Sequence, residues 1–352
     1  MRHRDDMPPL AVLLVSDGRP GHESLSRGII AAMGRRRVLD VRRIEVRRPR
    51  HLPGRLLAFA LRAGLPPAVL LSRVHGLDAA ALARPDVIVS AGGDTLAANV
   101  ALARSTGAPN LFYGSLRAYR PADFALSLTS YAHQATAPNR LMSLKPSPLD
   151  PDGLSLPRAA TTTPWQPPQS AGMIIGGPAG RTARYDERDW AGLLAIVAAT
   201  AEAWGTRWTL ANSPRTPAAV SDRLAQAARK PASGISEFID FRSSGPGSLG
   251  RLFSASQAIL CTADSSSMLS EAVWLRRPVL AVAPAMFSLP GPERAYRAWL
   301  NANGWADEAP IADMSPPEVA ARLSRIRPLC DNPLDSLADV LFSRLPALAT
   351  PA

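Results

Sequence analysis

Residues 258–272, AILCTADSSSMLSEA, combine the residue types that could hold an anionic sugar derivative. The apolar run 258–261 predicts a buried strand, and Met268, Leu269, Ala272 and Val273 fall on one face of a following helix. Thr262, Asp264 and three serines lie between them. A strand that feeds a hydroxyl-rich turn into a helix N-terminus offers unpaired N–H groups and the positive end of the helix dipole to an anion. Thr262, Asp264, Ser265, Ser267 and Met268 are therefore candidate ligands. Glu271, about one turn in, could accept hydrogen bonds from two sugar hydroxyls. The plainer alternative is that Asp264 or a serine caps the helix.

Four other loops carry similar chemistry. Gly176 and Gly177 open a GGPAG tract followed by Arg181, suited to a diphosphate with arginine supplying charge. In 212–217, NSPRTP, Arg215 is placed like a phosphate ligand and Ser213 and Thr216 offer hydroxyls. In 16–21, SDGRPG, Gly18 and Gly21 allow close backbone approach and Arg19 can reach an anionic group. There Asp17 could act as a general base or orient a substrate hydroxyl, and His22 is an alternative acid or base. A plain Gly/Pro turn is the competing reading. In 90–95, SAGGDT, the residues Gly92, Gly93, Asp94 and Thr95 could cradle a polar acceptor or merely start a helix. The 176–180 tract is not a GxGxxG fingerprint, a P-loop, GxSxG and CxxC do not occur, and the five histidines do not cluster, so no metal is expected.

The elements needed to position these loops alternate along the chain. Strands are expected over 10–15, 38–46, 87–90, 110–113, 124–128 and 140–144, with helices over 24–33, 52–63 and 96–105. Residues 145–169 are rich in Pro, Ser and Thr and lack a sustained period. The alternation then restarts, with strands over 171–175, 207–211, 238–241, 258–261 and 279–282. The expected fold is α/β: two Rossmann-like parallel-sheet domains facing across a cleft. The expected divisions are a first Rossmann-like domain over 1–150, a linker over 151–170, a nucleotide-binding Rossmann-like domain over 171–332, and a tail over 333–352 that could pack back on the first domain.

Composition bounds the rest. The chain has 352 residues, 46% of them hydrophobic and 20% charged, which is globular and long enough for two cores. No apolar run reaches the ~20 residues of a membrane span. The start, MRHRDDMPPL, is charged and has no small-residue cleavage site. Cys261 and Cys330 have no metal-ligand spacing, and a reduced, packed thiol is expected at Cys261. These features predict a cytoplasmic protein, with a place peripheral to the inner membrane as an option. The net charge of +11 is carried by arginine, most densely between Arg35 and Arg55. That run is either a solvated basic face or a surface for anionic lipid. Nucleic acid is not expected, because stacking aromatics are absent there.

With these residues in view, the chain resembles the mitochondrial-fission family of plants and its bacterial relatives over nearly its whole length. The matching tracts are SDGRPGHES (16–24), the Gly-rich turn with Thr95, PN (138–139), GGP (176–178), SPRTP (213–217) and TADSSSMLSEA (262–272). Leu25 stands where the family leads one to expect glutamine, and Asp94 where arginine is commoner. The family is similar to GT-B glycosyltransferases, in which a helix-borne Glu commonly holds the ribose of the donor; the resemblance points to Glu271. It implies a metal-independent glycosyltransferase with a nucleotide-sugar as donor substrate, no separate cofactor, and a cell-envelope or lipid-linked acceptor. Two other readings stay open. One is epimerisation of a nucleotide-sugar. The other is a non-enzymatic protein at a membrane surface, because plant members are known as fission factors acting on an outer-membrane division machinery.

Overall fold

The computed structural model describes residues 7–78, 80–154, 165–245 and 247–349. The chain divides into two compact units, Met1–Leu149 with Pro333–Ala352, and Asp150–Asn332.

In the first unit six strands pair in parallel: β1 (Leu10–Ser16), β2 (Leu39–Glu45), β3 (Val87–Ala91), β4 (Asn110–Tyr113), β5 (Leu126–Thr129) and β6 (Arg140–Met142), in the order β2-β1-β3-β4-β5-β6. β3, β4 and β5 are buried at every position, as continuous apolar runs in a parallel sheet require. β2 instead is mostly exposed and carries Asp40, Arg42 and Arg43, charges that suit an edge strand. The helices are α1 (Pro20–Gly34), α2 (Gly54–Arg62), α3 (Pro67–His75) and α4 (Leu96–Thr106). Pro66–Pro67 does stop α2, but the second proline then begins α3 at its first position, where its missing N–H costs nothing. Leu57, Ala58 and Leu61 of α2 and Leu70 and Leu71 of α3 join Val15, Ile88, Leu96 and Phe112 in one core.

The second unit contains β7 (Ser170–Ile174), β8 (Ala183–Arg184), α5 (Glu187–Trp204), β9 (Arg207–Ala211), α6 (Ala218–Ala228), β10 (Ile235–Ile239), α7 (Phe241–Ser244) and α8 (Leu249–Ala255). After these come β11 (Ala258–Thr262), α9 (Ser266–Trp274), β12 (Val279–Ala283), β13 (Met286–Phe287), α10 (Gly291–Ala302), β14 (Ala306–Pro310) and α11 (Pro316–Leu323). The main sheet runs β10-β9-β7-β11-β12-β14, all parallel, and β8 pairs antiparallel with β13. Its core gathers Met173, Trp190, Leu193, Trp208, Leu260 and Val282. Trp208 is fully buried, and its indole N–H is satisfied by Thr200 Oγ1 at 3.1 Å.

Both sheets therefore reverse their strand order once, between β1 and β3 in one unit and between β7 and β11 in the other. Ligands of open α/β sheets bind beyond the carboxyl ends of the strands at such switch points. The loops after β1, β3, β7 and β11 carry most of the expected site residues, and the loop after β9 carries Ser213, Arg215 and Thr216.

The last helix, α12 (Pro333–Arg344), belongs to the first unit and packs on α1. Arg35 makes a bidentate pair with Asp335 (2.8 and 3.0 Å), and Arg36 pairs with Asp339. Arg37 is buried and donates to Leu348 O at 3.0 Å and Pro8 O at 2.8 Å. Within the second unit, Asn332 donates to Asp150 and Asp152, each at 2.8 Å, so the departing and returning chain segments are tied together. Of the expected linker, residues 155–164 lie outside the described residues, and Pro151–Gly153 forms a short 3-10 turn. Among the described residues no helix is long and apolar enough to cross a membrane.

Candidate functional site

The loops of the second unit are laced together by their own polar groups. Gly176 N–H donates to Thr262 Oγ1 at 2.7 Å, and Gly177 N–H donates to Asp264 Oδ2 at 3.2 Å. Asp264, with a fully buried side chain, also pairs with Arg215 at 2.6 Å and accepts from Tyr185 Oη at 2.7 Å. The Arg215 guanidinium reaches back to Gly177 O at 3.1 Å. Thr216 Oγ1 donates to Gly176 O at 2.6 Å and accepts from Ser213 N–H at 3.0 Å, while Ser213 Oγ takes Arg215 N–H at 3.2 Å. The two glycines follow from this closeness. A Cβ on Gly176 would lie 2.2 Å from the Asp264 carboxylate, and one on Gly177 would lie 2.1 Å from Arg215 O.

Four residues expected as ligands therefore have another job. Ser213, Thr216, Thr262 and Asp264 are buried or half-buried, and their polar atoms hold neighbouring loops in place. Asp264 does not cap α9; Ser265 does, accepting Met268 N–H at 3.4 Å. Exposed groups remain at this strand end: the Arg215 side chain, Ser267 in the first turn of α9, and Arg181 after the left-handed Gly180. Buried charge nearby shifts ordinary values, since burial and the Asp264 carboxylate push the Tyr185 hydroxyl up, and burial pushes the Cys261 thiol up.

Glu271 is different. Its carboxyl is partly exposed and makes no hydrogen bond or ion pair among the described residues. Burial pushes it up to about 7. A desolvated carboxyl without an internal partner keeps its capacity to accept hydrogen bonds unused.

In the first unit the structure joins Asp17, His22 and Gly92. The Asp17 side chain is buried and meets His22 Nδ1 at 2.7 Å, which leaves Nε2 as the outer nitrogen. A Cβ on Gly92, at φ +90°, would lie 2.2 Å from that ring, so glycine here admits the imidazole. Asp17 is thus enclosed and held against the His22 ring. Asp94 is held by Arg19 at 3.2 Å and Arg48 at 2.9 Å. Thr95 is buried and donates to Gly92 O at 2.9 Å, so it shapes the loop. Gly18, at φ +75°, abuts Glu45, whereas Gly21 already lies inside α1 with open space around it. Beside this loop, Glu23 is held down to about 2, first of all by Arg43.

One residue was missed. Arg117 has φ +53°, a conformation that L side chains rarely adopt, and its guanidinium lies where a Cβ on Gly93 would be 2.5 Å away. It is exposed and makes no ion pair or hydrogen bond among the described residues. Nothing in the local sequence marks it beyond its place after β4, on the same side of the sheet as His22. Among the described residues no group of three or more His, Cys, Asp and Glu is placed to hold a metal ion.

Comparison with known proteins bears on both units. Acinetobacter baumannii MurG is 13% identical, with a TM-score of 0.51 over 95% of this chain and all of that one. UDP-GlcNAc 2-epimerase from Methanocaldococcus jannaschii is 12% identical, with a TM-score of 0.55 over 95% of this chain and 98% of that one. Identities this low speak for the fold alone, and the fold is GT-B-like. No curated protein matches the chain. The family model described as Mitochondrial fission ELM1 matches residues 20–308, a span that takes in His22, both glycine-rich turns, Arg215 and Glu271. The chain belongs to the Mitochondrial fission ELM1 family.

Proposed function

We propose that the chain is a GT-B-type glycosyltransferase that moves a sugar from a nucleotide-sugar to a hydroxyl acceptor. The observation that carries this reading is Glu271: a desolvated carboxyl without an internal partner, one turn into the helix that follows β11 at the switch point. Ribose hydroxyls would donate to it. The diphosphate would lie at the N-terminus of α9, by Ser267 and Met268, with Arg215 and Arg181 supplying charge and Gly176 and Gly177 shaping the loop. In the first unit, His22 Nε2 would take the proton of the acceptor hydroxyl while Asp17 holds the ring in one tautomer. The acceptor oxygen then bonds to the anomeric carbon, the bond from that carbon to the diphosphate breaks, and the nucleoside diphosphate leaves. Its charge is met by the helix dipole and arginine, so turnover is expected to survive chelation. Arg19, Gly18, Gly92, Gly93, Asp94 and Thr95 form and support the acceptor loops. A cell-envelope or lipid-linked acceptor fits the arginine excess of the first unit.

Calorimetric titration with UDP-, GDP-, CMP- and ADP-sugars tests the donor site. Binding lost in Glu271→Ala supports the reading, and no binding of any donor at millimolar concentration sinks it. Epimerisation of the nucleotide-sugar is the second reading. The likeness to the Methanocaldococcus enzyme raises it, and NMR of the products decides, because an epimerase converts the donor without an acceptor.

A further inference from the structure

The arginine run between Arg35 and Arg55 does not form one basic surface. Arg35, Arg36 and Arg37 hold the C-terminal segment, Arg43 and Arg47 are neutralised by Glu23 and Glu45, and Arg48 is spent on Asp94. What remains lies further on. Residues 46–77 contain six arginines and no Asp or Glu. Within them Arg50, Arg55 and Arg73 are exposed and make no ion pair or hydrogen bond among the described residues.

The same segment holds three of the six large hydrophobic side chains that stand exposed among the described residues: Leu56 at 53%, Phe59 at 66% and Val69 at 43%. α2 fills its core with Leu57, Ala58 and Leu61 alone. Leu56 and Phe59 are surplus to that packing and occupy the opposite face with Arg55 and Arg62, at helical spacing. On α3, Val69 and Arg73 are likewise exposed one turn apart.

We propose that this face of α2, with the start of α3, docks on an anionic lipid bilayer. Apolar side chains interleaved with arginine at one-turn spacing match a helix lying in the headgroup plane, where the hydrocarbon stems and guanidinium heads both find partners. A protein partner is the poorer fit, because the centre of a protein interface is depleted of charge, whereas here arginine flanks Phe59 on both sides along the helix. The missing carboxylates supply the other half of the complementarity, since each basic residue near an anionic leaflet adds attraction and nothing in the segment opposes it. The inference stands apart from sugar transfer and holds whatever the second unit binds.

Sedimentation of the full chain with phosphatidylcholine vesicles, with and without phosphatidylglycerol, tests it. Binding is expected only to the anionic vesicles and should weaken with salt. Leu56→Gln with Phe59→Gln should reduce it strongly. Arg50→Gln with Arg55→Gln and Arg73→Gln should reduce it by about a hundredfold, from three basic contacts at the surface. All these side chains are exposed, so unchanged thermal melting checks that the variants fold. A control removes the same charge from the second unit, at Arg188, Arg207 and Arg229, and should bind as the parent does. Equal loss in the control, equal binding to uncharged vesicles, or full binding by either variant overturns the proposal. So does a chain that ignores vesicles but self-associates through Phe59, which would make the face a protein interface.

Discussion

Glu271→Gln separates a desolvated carboxyl from an ordinary surface one. In the folded chain the group sits at about 7, against 4.5 for the unperturbed side chain. The folded state therefore keeps a proton that the unfolded state releases. Its contribution to stability is fully present below about pH 4.5 and is lost as pH rises through about 7. Linkage over the span from about pH 5 to about pH 8 gives roughly 2.5 kcal/mol, or about 2 once partial exposure is allowed for. Glutamine neither ionises nor needs to, so the variant should gain on the wild type by that amount across the interval. In melting experiments this is a relative Tm shift of roughly 4–8 °C. A nucleoside diphosphate should act in the opposite sense, raising the wild-type Tm more at high pH, where the carboxylate can accept from ribose, and failing to do so in the variant. Parallel pH profiles for the two proteins, free and liganded, would refute the assignment of Glu271 as an unpartnered acceptor.

Three other outcomes are expected. Gly177→Ala places a methyl 2.1 Å from Arg215 O, which must part the two loops; nucleotide-dependent thermal shift should vanish while the unliganded Tm falls by an amount matching about 1–3 kcal/mol. Asp17→Asn should leave nucleotide affinity intact and lower kcat by roughly 10²–10⁴, with His22→Gln equally damaging and the double variant no worse, since the two act as one unit. Arg37→Ala strips the Leu348 and Pro8 carbonyls of their donor and should cost about 2–3 kcal/mol in denaturant unfolding, whereas exposed Arg36→Ala should cost under about 1.

The strand and helix alternation was legible because buried parallel strands are bare apolar runs and most helices carry one-sided stripes. Elements made of polar residues escaped: β14 is Ala-Asp-Glu-Ala-Pro and counts as a strand only because β12 offers it an edge. α3 escaped because a double proline reads as a stop and also serves as a start. At the candidate site, loop positions followed from strand ends, but roles did not. Whether Asp264 faces a ligand or an arginine depends on which loops the sheet order brings together, and that order is set by non-local pairing. The turn at Gly92 reads equally as a cradle for a polar acceptor or a plain helix start, and nothing local says that Gly92 makes room for His22. Arg117 left no trace, since a left-handed arginine is fixed by its surroundings and not by its neighbours in the chain.

The tail helix has a consequence for how the molecule is made. α12 is synthesised after the whole of the second unit, yet it covers α1, so residues 150–332 are in topology an insertion within the first unit. During synthesis the inserted unit has all of its chain before its host does. The host must wait, with the α1 surface bare, until Asp335 and Asp339 reach Arg35 and Arg36.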